Sequence, residues 1–212
     1  MHIEREAGLT CLTETWLTQT VPNSVIDIDK FTGYRSDRSL ASGKTRGGGV
    51  CVYLNDRWCT TNNTHVIKTL CTPDVELLAL SLRPVYLPRE FPKINLLVTY
   101  IPPNVNTEQA IQQVVHTVRD LQAKSPDSVT IITGDFNHNT LENELPLFYQ
   151  YIDCPTRGKN ILDLCLGNIK DAYKCKALLG LGKSEHQMMQ LTPKYSTVLK
   201  KSKVDKQVVS VW

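Results

Sequence analysis

The sequence predicts an α/β protein in which packed β-sheets are flanked by helices, and three observations predict it. Short apolar runs rich in β-branched residues recur along the chain, only one segment carries a clear helical period, and several connections are too long for a simple doubly wound sheet.

In chain order the strand-like runs cover residues 9–12, 50–54, 75–82, 94–100, 128–133, 161–166 and 188–191, each bounded by turn residues. Between residues 100 and 128, Ala110, Ile111, Val114, Val115, Val118 and Leu121 recur at helical spacing. They predict an amphipathic helix over residues 107–124, with Thr107 as N-cap and Pro126 just past the end. A second, shorter helix is expected over residues 141–151, with Pro146 starting or breaking it. From Lys194 the pattern fades into a stretch carrying Lys200, Lys201, Lys203 and Lys206. The expected organisation is therefore one domain over residues 1–193 and a basic tail or linker over residues 194–212.

With 212 residues, 41% of them hydrophobic, the chain can bury one sizeable core. A net charge of +3 permits a phosphate-rich partner without requiring one. The seven cysteines are odd in number and scattered without CxxC pairs, so they read as reduced thiols of an intracellular protein, not as a zinc site or a disulfide frame. No stretch approaches the roughly 20 apolar residues that span a bilayer, and the polar start of the chain (His2, Glu4, Arg5, Glu6) carries no secretory signal.

Four sets of residues point to phosphodiester chemistry, which needs carboxylates for a hard cation, a group that activates water and donors for phosphoryl oxygens. Gly134-Asp135-Phe136-Asn137 follows a buried strand, so a glycine turn delivers an acid and an amide to its tip. Glu14, in Thr13-Glu14-Thr15-Trp16, stands at the end of another run. Tyr100 ends a third strand and is held by the stiff Pro102-Pro103 turn. Asp163 interrupts an apolar strand and needs a polar partner, for which His186, in Ser184-Glu185-His186, is the natural candidate. Each set alone also fits a bland reading: an Asx turn, a surface glutamate, an aromatic packed on prolines, a structural histidine.

Taken in order, the ETW, RGGGV, YIPP, GDFN, LDLC and SEH segments resemble the motif series of the apurinic/apyrimidinic-like endonuclease domains of non-LTR, LINE-type retrotransposons. The resemblance spans residues 9–212. It implies a DNase I-like, four-layer α/β/β/α sandwich of two packed mixed β-sheets with the site at one end, lacking its first strand. By motif, Glu14 matches the metal-ligating glutamate, Asp135 and Asn137 the residues that activate or orient the attacking water, Tyr100 the phosphate-contacting tyrosine, and Asp163 with His186 the Asp-His pair. Gly47, Gly48 and Gly49 match a structural glycine turn. Arg46, Arg157, Lys159 and Lys183 flank motif residues and are candidate DNA contacts, a role no better supported than that of solvated surface charges.

The resemblance implies a Mg²⁺- or Mn²⁺-dependent enzyme that nicks double-stranded DNA and leaves a 3′-hydroxyl to prime reverse transcription, with a nuclear site of action and a reverse transcriptase domain expected beyond this chain in a full element. Two departures qualify it. Glu185 stands where the family has an aspartate and is expected to serve as a metal ligand one methylene longer. The family's first strand, which carries a metal-site asparagine, has no counterpart here, and residues 1–7 are too polar to replace it. An impaired remnant of such a domain, and a phosphatase or phosphodiesterase of the same fold, are the alternative readings.

Overall fold

The computed structural model describes residues 7–195. Its larger sheet has six strands in the order β4(Thr64–Cys71), β5(Glu76–Leu82), β6(Ile94–Tyr100), β7(Val129–Asp135), β9(Asp163–Gly167) and β8(Tyr149–Gln150). It is mixed: β6 and β7 run parallel and every other pair antiparallel. Facing it are two antiparallel pieces, the three-stranded β1(Leu9–Thr13), β3(Val50–Asn55), β2(Phe31–Ser36), in the order β1-β3-β2, and the hairpin β10(Tyr173–Leu178)–β11(Met188–Pro193).

The central strands are rich in apolar residues on both faces because both faces are covered. Leu77, Ala79 and Leu97 point toward the helix α1(Thr107–Lys124) and pack with Ala110, Val114 and Val118. Their neighbours Leu78, Leu80, Leu96 and Val98 point the other way and meet Val50, Val52 and Leu54 of the smaller sheet. Residues of β10 and β11, among them Cys175, Met189 and Leu191, pack against the same inter-sheet core. The two packed β-layers and the helix outside the larger one follow the sequence expectation. On the outer face of the smaller sheet, no α-helix is present among the described residues.

The expected strands are all present, and α1 has the expected bounds. Its N-cap, however, is Asn106, one residue earlier than Thr107, because the Asn106 side chain accepts the Gln109 N–H at 3.1 Å. The second helix is absent. Leu145 N donates to Leu141 O, closing one turn, and Pro146 then supplies no donor to continue it. Lys194 and Tyr195 still donate backbone hydrogen bonds to Ala172 O, so the folded body passes residue 193. The rest of the expected tail, and the polar segment 1–6, lie outside the described residues.

Register in the larger sheet places the chemistry. Glu76 is paired with Tyr100, Tyr100 with Asp135, and Asp135 with Asp163, so one row of side chains crosses four adjacent strands at their ends. Strand spacing of about 4.8 Å makes that row roughly 14 Å long. It depends on Gly134, whose φ is +141° and whose Cβ, were there one, would sit 1.8 Å from Thr99 O on the neighbouring strand. Gly134→Ala should therefore lower stability by at least about 2 kcal/mol, read from the urea midpoint. A midpoint equal to that of the wild type would show that the β6–β7 contact is not as tight as described.

Candidate active site

At one end of the row, His186 Nδ1 lies 2.7 Å from Asp163 Oδ2, both side chains being about three-quarters buried. The pairing is built by short-range turns on a common anchor. Ser184 Oγ accepts the His186 N–H at 3.1 Å, and the next residue, Gln187, donates its N–H to Thr156 O at 2.7 Å. Thr156 Oγ1 in turn accepts the Leu162 and Asp163 N–H groups at 2.9 and 3.1 Å, so one threonine ties the histidine loop to the start of β9.

Asp135, the last residue of β7, is 6% exposed. Asn137, with φ 52°, folds back so that its N–H donates to Asp135 Oδ1 at 2.9 Å and its Nδ2 to Ile101 O at 2.7 Å. This pins the turn to the end of β6. Burial pushes the Asp135 carboxyl up to about 6; the Asn137 N–H and His186 oppose the rise, while the negative charges of Asp163 and Glu14 add to it.

Glu14 reaches the same region from β1 in a left-handed backbone conformation, φ 54°, which a non-glycine residue adopts only when its surroundings hold it. The glycine turn provides that hold: Gly48 N donates to Glu14 Oε2 at 2.9 Å, Trp16 Nε1 donates to the same oxygen at 2.6 Å, and Trp16 N donates to Gly48 O at 2.9 Å. Burial alone would raise the Glu14 carboxyl, but hydrogen bonds from Tyr100, Gly48 and Trp16, with the Arg38 charge, hold it below its usual range. The Tyr100 hydroxyl is correspondingly pushed up, first by burial and then by Glu14.

Behind this face is a buried ion pair that sequence reasoning missed. Arg38 Nε donates to Glu76 Oε1 at 2.5 Å, Glu76 Oε2 accepts the Gly49 N–H at 2.6 Å, and the Arg38 guanidinium lies 5.8 Å from the Tyr100 ring centre. Arg38 also donates to Arg46 O, closing the turn from the other side. A Cβ on Gly48 would fall 2.3 Å from the Arg38 guanidinium, so the turn admits no side chain there. Glu76 left a signal in the sequence, a lone acid in an apolar run, which needs a cationic partner. Arg38, 38 residues away, left none.

The sequence-predicted residues divide accordingly. Tyr100, Asp135 and Asp163 share the row, His186 is paired to it, Asn137 is hydrogen-bonded to it and Glu14 interacts with Tyr100 and Asp135. Glu185 lies at the exposed surface, where its carboxylate accepts from the Arg157 guanidinium. Arg157 is by the same contact an ion-pair partner and not a free cation. Arg46, Lys159 and Lys183 are exposed.

A hard divalent cation such as Mg²⁺ binds through one or two carboxylates, with water and phosphate oxygens completing its shell. The site fits such an ion, since Glu14 is held ionised, and the negative charges of Asp163 and Glu14, which add to the burial that raises the Asp135 carboxyl, are what a cation offsets.

Solved structures show the same architecture. An endonuclease/exonuclease/phosphatase family protein from Leptotrichia buccalis aligns with TM-score 0.61 and 13% identity over 91% of this chain and 89% of its own. The chain has the endonuclease/exonuclease/phosphatase fold. D. rerio TDP2 complexed with single strand DNA product aligns with TM-score 0.55 and 12% identity over 87% of this chain and 84% of its own. ANGEL2, a 2′,3′-cyclic phosphatase, aligns with TM-score 0.54 and 8% identity over 89% of this chain and 73% of its own. No protein-family model and no curated protein sequence matches this chain. No helix among the described residues is long and apolar enough to cross a membrane.

Because the Asp135 carboxyl is raised in the folded state, from an ordinary 3.8 to about 6, folding favours its protonated form. That contribution is complete below about pH 4 and is lost as pH rises through 6. In metal-free protein, Asp135→Asn should therefore be more stable than wild type by about 1–3 kcal/mol at pH 8, with the difference vanishing near pH 4. Melting curves across that range check it, and a variant less stable at pH 8 would contradict the charge assignment. Glu76→Ala leaves Arg38 buried and unpaired, and should cost about 3–5 kcal/mol in a denaturant titration; a loss below about 1 kcal/mol would show the pair to be dispensable.

Proposed function

We propose that this chain is a metal-dependent phosphodiester hydrolase that nicks one strand of double-stranded DNA and leaves a 3′-hydroxyl. The observation that carries the reading is the Asp163–His186 pair, 2.7 Å apart, at the end of a strand-tip row that also holds Asp135 and Tyr100. Asp135, titrating at about 6, is mostly ionised at neutral pH yet basic enough to take a proton from water, as a general base requires. Asn137 holds that carboxylate in place through its N–H. With His186 Nδ1 turned to Asp163, Nε2 is the nitrogen left to face a phosphate oxygen, and the aspartate supports positive charge on the ring as the phosphoryl group gains charge. The Tyr100 hydroxyl, which stays protonated, is suited to donate to a second phosphoryl oxygen. Glu14 is the residue to hold Mg²⁺ or Mn²⁺, which supplies Lewis-acid polarisation of the phosphate when bound.

The order of the six sequence motifs supports the finer reading, a LINE-type endonuclease acting on chromosomal DNA in the nucleus, whose 3′-hydroxyl primes reverse transcription by a domain that follows in a full element. Conversion of supercoiled plasmid to open circle in Mg²⁺ tests it. Asp135→Asn and His186→Ala should each slow nicking at least about 100-fold without loss of the folded state, and chelation should abolish it. Nicked ends should be extendable by a polymerase, which reads the 3′-hydroxyl. Equal nicking by wild type and Asp135→Asn would sink the assignment, whereas hydrolysis of cyclic or small phosphate esters with no nicking would move the chain to the phosphatases of this fold.

A further inference from the structure

Three sulfur atoms from three separate segments meet beside the β10–β11 hairpin, on elements other than those that carry the acidic row. Cys154 Sγ is 3.9 Å from Met189 Sδ, and Cys175 Sγ is 3.8 Å from the same sulfur. The Asp153 carboxylate joins them: it and both thiol sulfurs lie within 4.8 Å of one another. Cys175 and Met189 stand on adjacent antiparallel strands, where Cys175 pairs with Leu191 and Ala177 with Met189, so their side chains lie on one face as diagonal neighbours. Cys154 approaches that face from the chain leaving β8. All three sulfur-bearing residues are half-buried, within reach of solvent yet packed at the edge of the core.

Simple packing accounts poorly for this group. Cysteine and methionine fill apolar gaps as small hydrophobes, but here the three sulfurs sit half-buried at the rim of the core, with the exposed Asp153 carboxylate beside the two thiols. The two cysteine-to-methionine distances are those of ligands around one ion: with metal–sulfur bonds of about 2.3 Å, sulfurs in a trigonal or tetrahedral shell lie about 3.8–4.0 Å apart. Two thiolates and a thioether form a soft donor set that selects thiophilic d¹⁰ ions, and the thioether in particular favours Cu(I) over Zn²⁺.

We propose that Cys154, Cys175 and Met189 form a binding site for Cu(I), with the Asp153 carboxylate at its rim. Binding replaces two S–H bonds by two metal–sulfur bonds, releases two protons to solvent and leaves the oxidation state of copper and sulfur unchanged. The ion closes a staple between the segment that precedes Thr156 and the strand that follows His186.

The test uses the full, reduced 212-residue chain without oxygen, titrated against Cu(I) held by a chromogenic chelator, with melting curves in parallel. Wild type should withdraw a Cu(I) ion that the Cys154→Ser/Cys175→Ser double variant leaves with the chelator, and Cu(I) should raise the melting temperature of wild type only. Met189→Leu, which keeps the volume, should weaken Cu(I) binding at least about tenfold while leaving any Zn²⁺ binding unchanged. That second variant keeps the proposal testable if the double variant does not fold. Equal Cu(I) uptake by wild type and the double variant, binding insensitive to Met189→Leu, or a reduced chain that takes up no Cu(I) but oxidises to a Cys154–Cys175 disulfide would each overturn it. None of these readouts depends on nuclease activity.

Discussion

The parallel pairing of β6 with β7 is the constraint on which the site depends. Thr99 faces Gly134 in that register, and no side chain fits between them. Shifting the pair by one residue would turn every side chain of one strand to the opposite face. Tyr100 and Asp135 would lose their alignment, and Asp163 with them, since β9 is registered on β7. A backbone contact between two small groups thus decides where the acids stand. The buried run of Leu96, Leu97 and Val98, divided between two cores, is what keeps the strands from sliding.

Electrostatics at the site rests on unequal treatment of similar groups. Glu14 is given three donors and a nearby guanidinium, and so stays ionised. Asp135 is raised by burial and then by two negative neighbours, against one N–H and His186, and so titrates near the pH at which a base is useful. Asp163 is spent on His186. The Arg38–Glu76 pair enters that division twice, through the Arg38 charge that lowers the Glu14 carboxyl and through the glycine turn, which it fixes and from which Glu14 receives a hydrogen bond. Removing one partner of such a pair is costly because the other stays buried and charged.

Much of this was legible in the sequence for identifiable reasons. Strands buried on both faces appear as unbroken apolar runs, and α1 as a regular apolar stripe, so β3, β5, β6, β7 and α1 could be read directly. Strands β2, β4, β8 and β10 could not. Phe31–Ser36 and Thr64–Cys71 sit at sheet edges with exposed or half-exposed positions, and Tyr173–Leu178 interleaves Lys174 and Lys176 with its inward residues. Such strands are held by partners and not by their own hydrophobicity. The expected helix over residues 141–151 failed because a helical spacing of apolar residues does not outweigh the donor that Pro146 lacks.

The sequence by itself determined which residue types stand at strand ends: Glu14, Tyr100, Asp135, Asn137, Asp163 and the His186 loop, each set by a local turn or a break in an apolar run. Only the tertiary structure decided which of them meet and what else they meet. It gave Glu185 to Arg157 at the surface, brought Arg38 to Glu76 across 38 residues, and gathered Cys154, Cys175 and Met189 from segments whose spacing shows no motif. The physical reason is that turns and periodicity act over a few residues, whereas pairing of charges and gathering of ligands depend on strand order and register, which the whole core fixes at once.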